Sequence, residues 1–594
     1  MDDKLIPLRH SAAHVMAQAV TELYPGTKLG FGPAIEDGFY YDFELPRAIT
    51  PDDLPAIEAR MKEIIKGKHP FTHAELTIDE ARARFAAQPF KLDQVHALAS
   101  GEMGEHGEAP AKPATSVSTY THDSFTDLCR GPHVATTGDI PADALKLLSI
   151  AGAYWRGDEK NPQLTRVYGT LWQSKQELDD YLWRLEEAKK RDHRKLGREL
   201  GLFYFSDDVG PGLPLFTPKG EIVRYLMEEY VREAQTKYGY QHVWTGHMVK
   251  EDLYHKSGHY DNYRDSMFQP MEDAGVVFRL KPMNCPSHMT LFNEMGKHSY
   301  REFPLRLAEF ATLYRYEKRG ELSGLTRVRA LTQDDCHVFC TEDQIQSEFT
   351  LALNLIREVL NTYKFTDYKV RLSLRGETGK FVQDDEKWDK ATRALQAALD
   401  ANQVNYFVAE GEAAFYGPKA DFIAKDVLGR EWQLSTIQVD FIQPARLGCE
   451  YVAEDGTLRT PVLIHRAVTG STERFLGVLI EQFAGAFPVW LAPVQMIVIP
   501  IADRHLEYAN YVADQLRAQN FRVAVDARAE RMNSKIRDAQ LQKIPYMLVV
   551  GNKEEETKAV AVRLRTGEDL KAMPLDQFSA LAKKIVDAKS SELK

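Results

Sequence analysis

Between residues 311 and 339 the chain reads ATLYRYEKRGELSGLTRVRALTQDDCHVF. Two strand-like runs flank a charged, glycine-containing stretch, the pattern of strand, loop and strand. Side chains alternate along a strand, so Arg315 and Glu317 share one face while Tyr314 and Tyr316 take the other. On the return, Gln333, Asp335 and His337 also line one face. Arginine, carboxylate, amide and imidazole on one sheet surface are costly to bury as mere core. They form the floor of a polar pocket, and they require a sheet with one face open to a ligand.

The chain has 594 residues, too many for one core, and a prior of about 150 residues per domain suggests roughly four units. Its 44% hydrophobic and 27% charged content is that of an ordinary globular protein. The five cysteines are odd in number and irregularly spaced, which argues against a disulfide framework and for a reducing compartment. The start, MDDKLIPLRH, lacks the apolar stretch of a signal peptide. The most apolar region, Leu476 to Ala502, is broken by Glu481, Pro488 and Pro493, which excludes a spanning helix. A cytosolic protein without a membrane partner is expected. A net charge of −11 does not exclude nucleic acid, because phosphate binding needs only a local basic surface. Residues 184–198 carry seven Lys/Arg against three Asp/Glu, and residues 315–329 carry five against two. By count alone, either run reads first as a solvated face.

The first ~170 residues mix helix and strand patterns and include a polar loop at 101–116. Ser174 with Glu177 forms a capping box and opens a long charged helical run that reads as a connector. Thr217-Pro218 starts another helix, with Ile222, Leu226, Tyr230 and Ala234 on its packed face. From 240 to 470 the pattern is mainly β, followed by an apolar helix at 472–486. The end alternates strand 495–501, helix 504–518, strand 521–526, helix 533–543 and strand 546–550, an α/β unit with a largely parallel sheet.

Three other fragments carry chemistry. In HRAVTGSTERF, Arg474 falls in the first turn of a helix, where acids are favoured, so it implies an anion within reach. In LKPMNCPSHM, Cys285 sits between two prolines. HSAAH places His10 and His14 four apart, and DLCRGPH places Cys129 and His133 at the same spacing. That set fits a four-ligand metal site, a hydrolytic site without metal, or buried histidines. A zinc knuckle at CHVFC, through Cys336, His337 and Cys340, is disfavoured, because alternation turns Cys336 away from His337.

YRYEKRG with TRVRALTQDDCHVFC resembles motif 2 of class II aminoacyl-tRNA synthetases, and TGSTERFLGVLIEQF resembles motif 3. LKPMNCP, TQDDCHVFC and VLIHRAVTGSTERF together are similar to the threonyl-tRNA synthetase family. The likeness runs over nearly the whole chain with its motifs in order. It implies an α/β and α+β multidomain chain: an α+β editing domain at 1–172, a helical linker at 173–198, a class II antiparallel-sheet catalytic domain at 199–490 and an α/β anticodon-binding domain at 491–594. It also implies a homodimer.

What the resemblance implies for the site is specific. Arg315 would hold the α-phosphate of ATP, Arg474 the γ-phosphate and Glu317 the adenine, with Mg2+ assisting. Lys318 and Arg319 would meet the acceptor end of tRNA(Thr), and His259 would act near its terminal ribose. The family's zinc ligands map onto Cys285, His337 and His465, leaving a position open as in catalytic zinc sites. Gln333, Asp335, Tyr416 and Gln438 would line the L-threonine pocket. A hydroxyl on zinc separates threonine from valine. Serine differs only by a methyl, worth roughly 1–3 kcal/mol, so a second site is needed. His10, His14, Cys129 and His133, with Asp127 beside them, resemble the family's editing site for seryl-tRNA(Thr), taken there to position water without metal. Glu554 and Arg563 match anticodon-reading positions. Two departures stand out: the editing motif begins at residue 10, as in a form without the small ubiquitin-like domain many members carry, and His247 replaces a proline in the motif-1 stretch GYQHVWTGHM.

Overall fold

The structure is a computed structural model that describes residues 4–102, 113–377, 379 and 381–594. The chain divides into two units, Met1–Glu186 and Glu187–Lys594.

In the first unit the helix Leu5–Leu23 has Ala12 to Val20 buried without a break, as expected for a helix covered on all sides. It packs against the helix Leu54–Lys66 and the strands Gly38–Glu44 and Gln163–Leu171. Those strands belong to an antiparallel sheet that continues to Leu145–Tyr154. A second antiparallel sheet joins Thr72–Thr77, Ser116–His122 and Phe125–Leu128. Most of the polar loop expected at 101–116 lies outside the described residues.

The connector is two helices rather than one. Lys175–Arg191 is followed by His193–Glu199, capped by the Asp192 carboxylate, which accepts from Arg194 N at 2.8 Å. At its start Ser174 Oγ accepts from Glu177 N at 3.3 Å. The Glu177 carboxylate reaches Gln173 N, at 3.0 Å, instead of closing the box on Ser174.

The second unit is built on an eight-stranded sheet, in the order Gln241–His242, Leu305–Tyr314, Ala330–Cys340, Val462–Ala467, Glu431–Asp440, Lys419–Lys425, Tyr368–Leu374, Tyr406–Glu410. The six inner strands pair antiparallel and only the two edges pair parallel. Thr217 caps the helix Pro218–Lys237, as its sequence predicts. The packed face of that helix runs through Val223, Met227, Tyr230, Val231 and Ala234, with Ile222 and Leu226 at its margin. The expectation of mainly β structure from 240 to 470 is corrected by the helices Cys285–Glu294, Ile345–Thr362 and Asp385–Ala401. In Ile345–Thr362, apolar residues at 345, 349, 353, 356 and 360 recur at helical spacing, and that period overrides the β preference of the individual residues. The helices Pro218–Lys237, Ile345–Thr362, Asp385–Ala401 and Thr472–Gln482 close one large core on one side of the sheet, whereas Cys285–Glu294 packs with Leu307 and Phe339 in a separate cluster.

Beneath the sheet, Asp334 accepts from Val468 N at 2.8 Å and Thr469 N at 3.1 Å, and pairs with the fully buried Arg466 at 3.4 Å. Breaking a buried pair from one side costs about 3–5 kcal/mol. Asp334→Ala is therefore expected to lower the denaturant midpoint markedly, and equilibrium unfolding by fluorescence checks this.

The C-terminal part has the expected three parallel strands, Val523–Val525, Met496–Pro500 and Tyr546–Val550. The alternation does not run to the end, however: an antiparallel pair, Ala559–Leu564 and Asp569–Pro574, completes the sheet.

Candidate active site and metal centre

Register assembles the site. His337 lies opposite His465, and His465 lies opposite Gln438 on its other side. A slip of one residue would turn each of these side chains to the opposite face. Cys285, in the first turn of the helix Cys285–Glu294, meets this row from above. One donor atom from each of Cys285, His337 and His465 lies within 4.8 Å of the others, and all three residues are buried. Cys336 turns away and lies 2.6 Å from the Arg466 guanidinium beneath the sheet, so CHVFC does not form a knuckle.

The donor set fits a metal. His337 Nε2 is buried with no hydrogen-bond partner among the described residues. His465 Nε2 donates to Asp440 Oδ2 at 2.9 Å, which leaves its Nδ1 as the lone pair. Burial pushes the Cys285 thiol well above its ordinary range and the His337 imidazole well below. A divalent cation reverses the first effect and uses the second, since it binds thiolate and neutral imidazole.

These three residues form one end of a cavity of about 450 Å³. Gln333, Asp335, Tyr416 and Gln438 line it, as do Arg315, Glu317 and Arg474. Gln438 Nε2 donates to Gly417 O at 3.0 Å, and burial raises the Asp335 carboxyl. Arg315 and Glu317 lie just past the strand end at Tyr314, not on the strand as expected. Arg315 N still donates to Arg329 O at 2.9 Å, after which Glu317 N turns back to Arg315 O. Among the described residues the Arg315 guanidinium has only weak partners, Pro282 O at 3.5 Å and Met283 Sδ at 3.3 Å. Burial, followed by repulsion from Arg315 and Arg327, lowers the proton affinity of Arg474. Such a cluster of cations favours a polyanionic ligand.

Of the basic run 315–329, Arg327 pairs with Glu317 at 2.9 Å and Arg329 donates to Glu317 O, while Lys318 and Arg319 are exposed. His193, at the end of the other basic run, donates through Nδ1 to Glu481 at 2.6 Å and accepts from Leu325 N at 3.0 Å. It thereby ties the connector to this loop and to the helix Thr472–Gln482.

His259, implied near the terminal ribose, does not lie at the surface. It is fully buried at the start of the short helix His259–Tyr263, with Nε2 3.4 Å from Cys285 Sγ and Nδ1 2.8 Å from Ser257 Oγ. Burial lowers its pKa to about 3. It is absent from the cavity wall.

In the first unit, His10 and His14 ride one turn apart on the helix Leu5–Leu23. Cys129 and His133 reach them from the non-helical segment after the strand Phe125–Leu128. Cys129 Sγ lies 3.2 Å from His10 Nε2 and 3.2 Å from His133 Nε2. Burial and the neighbouring imidazoles lower His133 to about 2 and His14 well below its ordinary value. Asp127 Oδ2 lies 3.7 Å from His14 Nε2, and the same carboxylate accepts from Tyr41 Oη at 2.6 Å and Lys91 Nζ at 2.6 Å. Ser11 Oγ lies 3.0 Å from His133 Nδ1. Nothing in the sequence pattern singles out Lys91, Tyr41 or Ser11.

Glu554 lies on the helix Asn552–Thr557, where its carboxylate accepts from Gly551 N at 3.0 Å. Arg563 is on the strand Ala559–Leu564, at a bulge. Among the described residues no helix is long and apolar enough to cross a membrane.

An antiparallel sheet with arginines, a carboxylate and a zinc-type donor set around one cavity defines a class II aminoacyl-tRNA synthetase core. Residues 268–483 match the family model described as the tRNA synthetase class II core domain (G, H, P, S and T). Residues 495–585 match an anticodon binding domain, and residues 117–168 match the threonyl and alanyl tRNA synthetase second additional domain. The chain is 62% identical over 563 residues to a threonine–tRNA ligase of Rubrobacter xylanophilus, covering 94% of this chain and 85% of that one. It is 50% identical to one of Dehalococcoides mccartyi, covering 99% and 97%. The solved RNA binding domain of threonyl-tRNA synthetase from Cryptosporidium parvum Iowa II superposes with a TM-score of 0.64 at 38% identity, covering 66% of this chain and 98% of that chain. The chain belongs to the threonine–tRNA ligases, enzymes of the class II aminoacyl-tRNA synthetases.

Proposed function

We propose that the chain activates L-threonine with ATP and Mg2+, transfers it to tRNA(Thr), and removes serine from mischarged tRNA(Thr) at the cluster in its first unit. The observation that carries this reading is the meeting of Cys285, His337 and His465 at one end of the cavity that Arg315 and Arg474 also line. Those three residues would hold one zinc ion per chain, which would supply a Lewis acid for the amino and hydroxyl groups of threonine. Gln333, Asp335, Tyr416 and Gln438 enclose the amino acid. Arg315 and Arg474 bind the triphosphate and stabilise charge during displacement at the α-phosphorus, and Glu317 faces the base. His259, the group expected near the terminal ribose, is buried against Cys285 and is not among the residues that line the cavity. Metal analysis tests the reading: one zinc per chain, lost in Cys285→Ser, is expected. No zinc in the wild type would contradict it.

Four close side chains beside Asp127 and Lys91, with His14 and His133 held below their ordinary pKa by burial, support acid–base hydrolysis at His10, His14, Cys129 and His133, without metal. His10→Ala is expected to slow deacylation of seryl-tRNA(Thr) by about 100-fold or more and to leave threonylation unchanged. Deacylation of isolated Ser-tRNA(Thr) checks this.

We further propose a cytoplasmic homodimer. All five cysteines are buried and none forms a disulfide, in keeping with a reducing compartment. Trp244 and Met248, in the motif-1 stretch, are 74% and 58% exposed, and large exposed apolar side chains mark interfaces. Sedimentation equilibrium at twice the chain mass is the expected result. Glu554 and Arg563 are proposed to contact the anticodon. The helix-capping bond of Glu554 means its substitution also loosens its own helix.

A further inference from the structure

Behind His337, away from the cavity, lies a buried polar chain. His337 Nδ1 is 2.8 Å from His288 Nδ1. His288 Nε2 is 3.0 Å from Glu309 Oε2. Both histidines are fully buried and Glu309 is nearly so. Glu309 also receives Thr245 N at 2.8 Å and Asn284 Nδ2 at 2.8 Å. Lys281 Nζ donates to Asn284 Oδ1 at 2.9 Å, which turns the amide nitrogen toward Glu309.

This chain sets where the protons sit. Burial opposes a charge on Glu309, but hydrogen bonds from His288, Asn284 and Thr245 N, with the nearby Lys281 charge, bring its pKa down to about 2. An ionised carboxylate can only accept, so His288 Nε2 carries hydrogen even though Asn284 Nδ2 is also 3.0 Å away. With hydrogen on Nε2, His288 can offer a lone pair at Nδ1, which His337 meets by donating from its own Nδ1. Two protonated Nδ1 atoms cannot face each other at 2.8 Å. The opposite arrangement places hydrogen on His337 Nε2, a buried atom with no acceptor within hydrogen-bonding distance. The lone pair of His337 therefore points from Nε2 toward Cys285 and His465.

We propose that His288, backed by Glu309, is a positioning residue for the metal: it fixes the His337 tautomer and ring orientation so that Nε2 is presented as a ligand before any ion arrives. This rests on the zinc reading above. Hydrogen-bonded partners behind a metal-bound imidazole generally contribute 10–100-fold in metal affinity. His288 enters through the helix that begins at Cys285, and Glu309 lies on the strand paired with that of His337. One short helix thus carries both a ligand and the group that orients another.

The test is zinc affinity by chelator competition on the full chain, with the visible spectrum of the cobalt(II) form as a second readout. His288→Phe keeps the ring volume and removes the acceptor, so zinc binding about 10–100-fold weaker is expected, with altered cobalt bands. His288→Asn places Oδ1 where Nδ1 stood and is expected to restore affinity to within a few-fold of wild type. If the Phe variant does not fold, His288→Met, which adapts to the same space, replaces it. Unchanged affinity in a folded Phe or Met variant overturns the proposal. Equal loss in Phe and Asn variants also overturns it, because the role is then packing. A wild type that binds no zinc removes the zinc reading itself, and the relay with it.

Discussion

His337→Ala is expected to abolish threonine activation, with a loss of at least about 4 kcal/mol in transition-state stabilisation, or roughly 1000-fold. The reason is positional. His337 faces His465 across the central strand pair and is one of three donors at the end of the cavity. Two ligands do not hold zinc in a catalytic geometry that normally needs three from the protein. The same variant is expected to lose its zinc, while ATP binding, whose arginines lie elsewhere in the cavity, persists. Pyrophosphate exchange with a parallel metal analysis checks both. Full activity in a zinc-free variant would contradict the assignment.

Arg315→Ala is expected to lower the rate of adenylate formation by about 100–1000-fold, the usual cost of removing one preorganised donor from developing charge. Stability should hardly change. The guanidinium makes only two long contacts with the protein, and it projects from the end of a strand rather than from the core. Threonine binding, set at the other end of the cavity, should also be little affected. A split between a reduced kcat and a preserved KM for threonine is therefore the signature, measured by steady-state exchange. A large fall in melting temperature would instead make Arg315 structural.

The sequence made some of this site legible because alternation on a strand is a strict rule. Gln333, Asp335 and His337 share a face, and Cys336 lies on the other, as the period of two requires. The same rule misplaced Arg315 and Glu317, because the strand stops at Tyr314 and the chain turns within two residues. A strand end is set by its partners, and those are not visible in a local pattern. The long helices between 345 and 401 carry a helical period that the Tyr, Phe and Val alternation of the surrounding strands obscured. The last two strands lie beyond the span where the alternation of strand and helix was traced.

Residues that act through other residues were the least legible. His288 and Glu309 meet His337 only because a helix and a strand far apart in sequence pack together. Lys91 reaches Asp127 from a helix in which nothing marks it out. His259 has glycine and polar neighbours in sequence, yet tertiary packing buries it against Cys285. His10, His14, Cys129 and His133 were found by matching spacing, although only the first pair sits on a helix.

The central claim is that zinc-directed recognition of a hydroxyl selects the amino acid, and that serine, which passes this test, makes the first unit's cluster necessary. Amino-acid-dependent ATP–pyrophosphate exchange by the zinc-loaded protein tests it most directly. Strong exchange with threonine, weaker exchange with serine and none with valine is the predicted result. Comparable exchange with valine and threonine, or no exchange with any of the three, would contradict it.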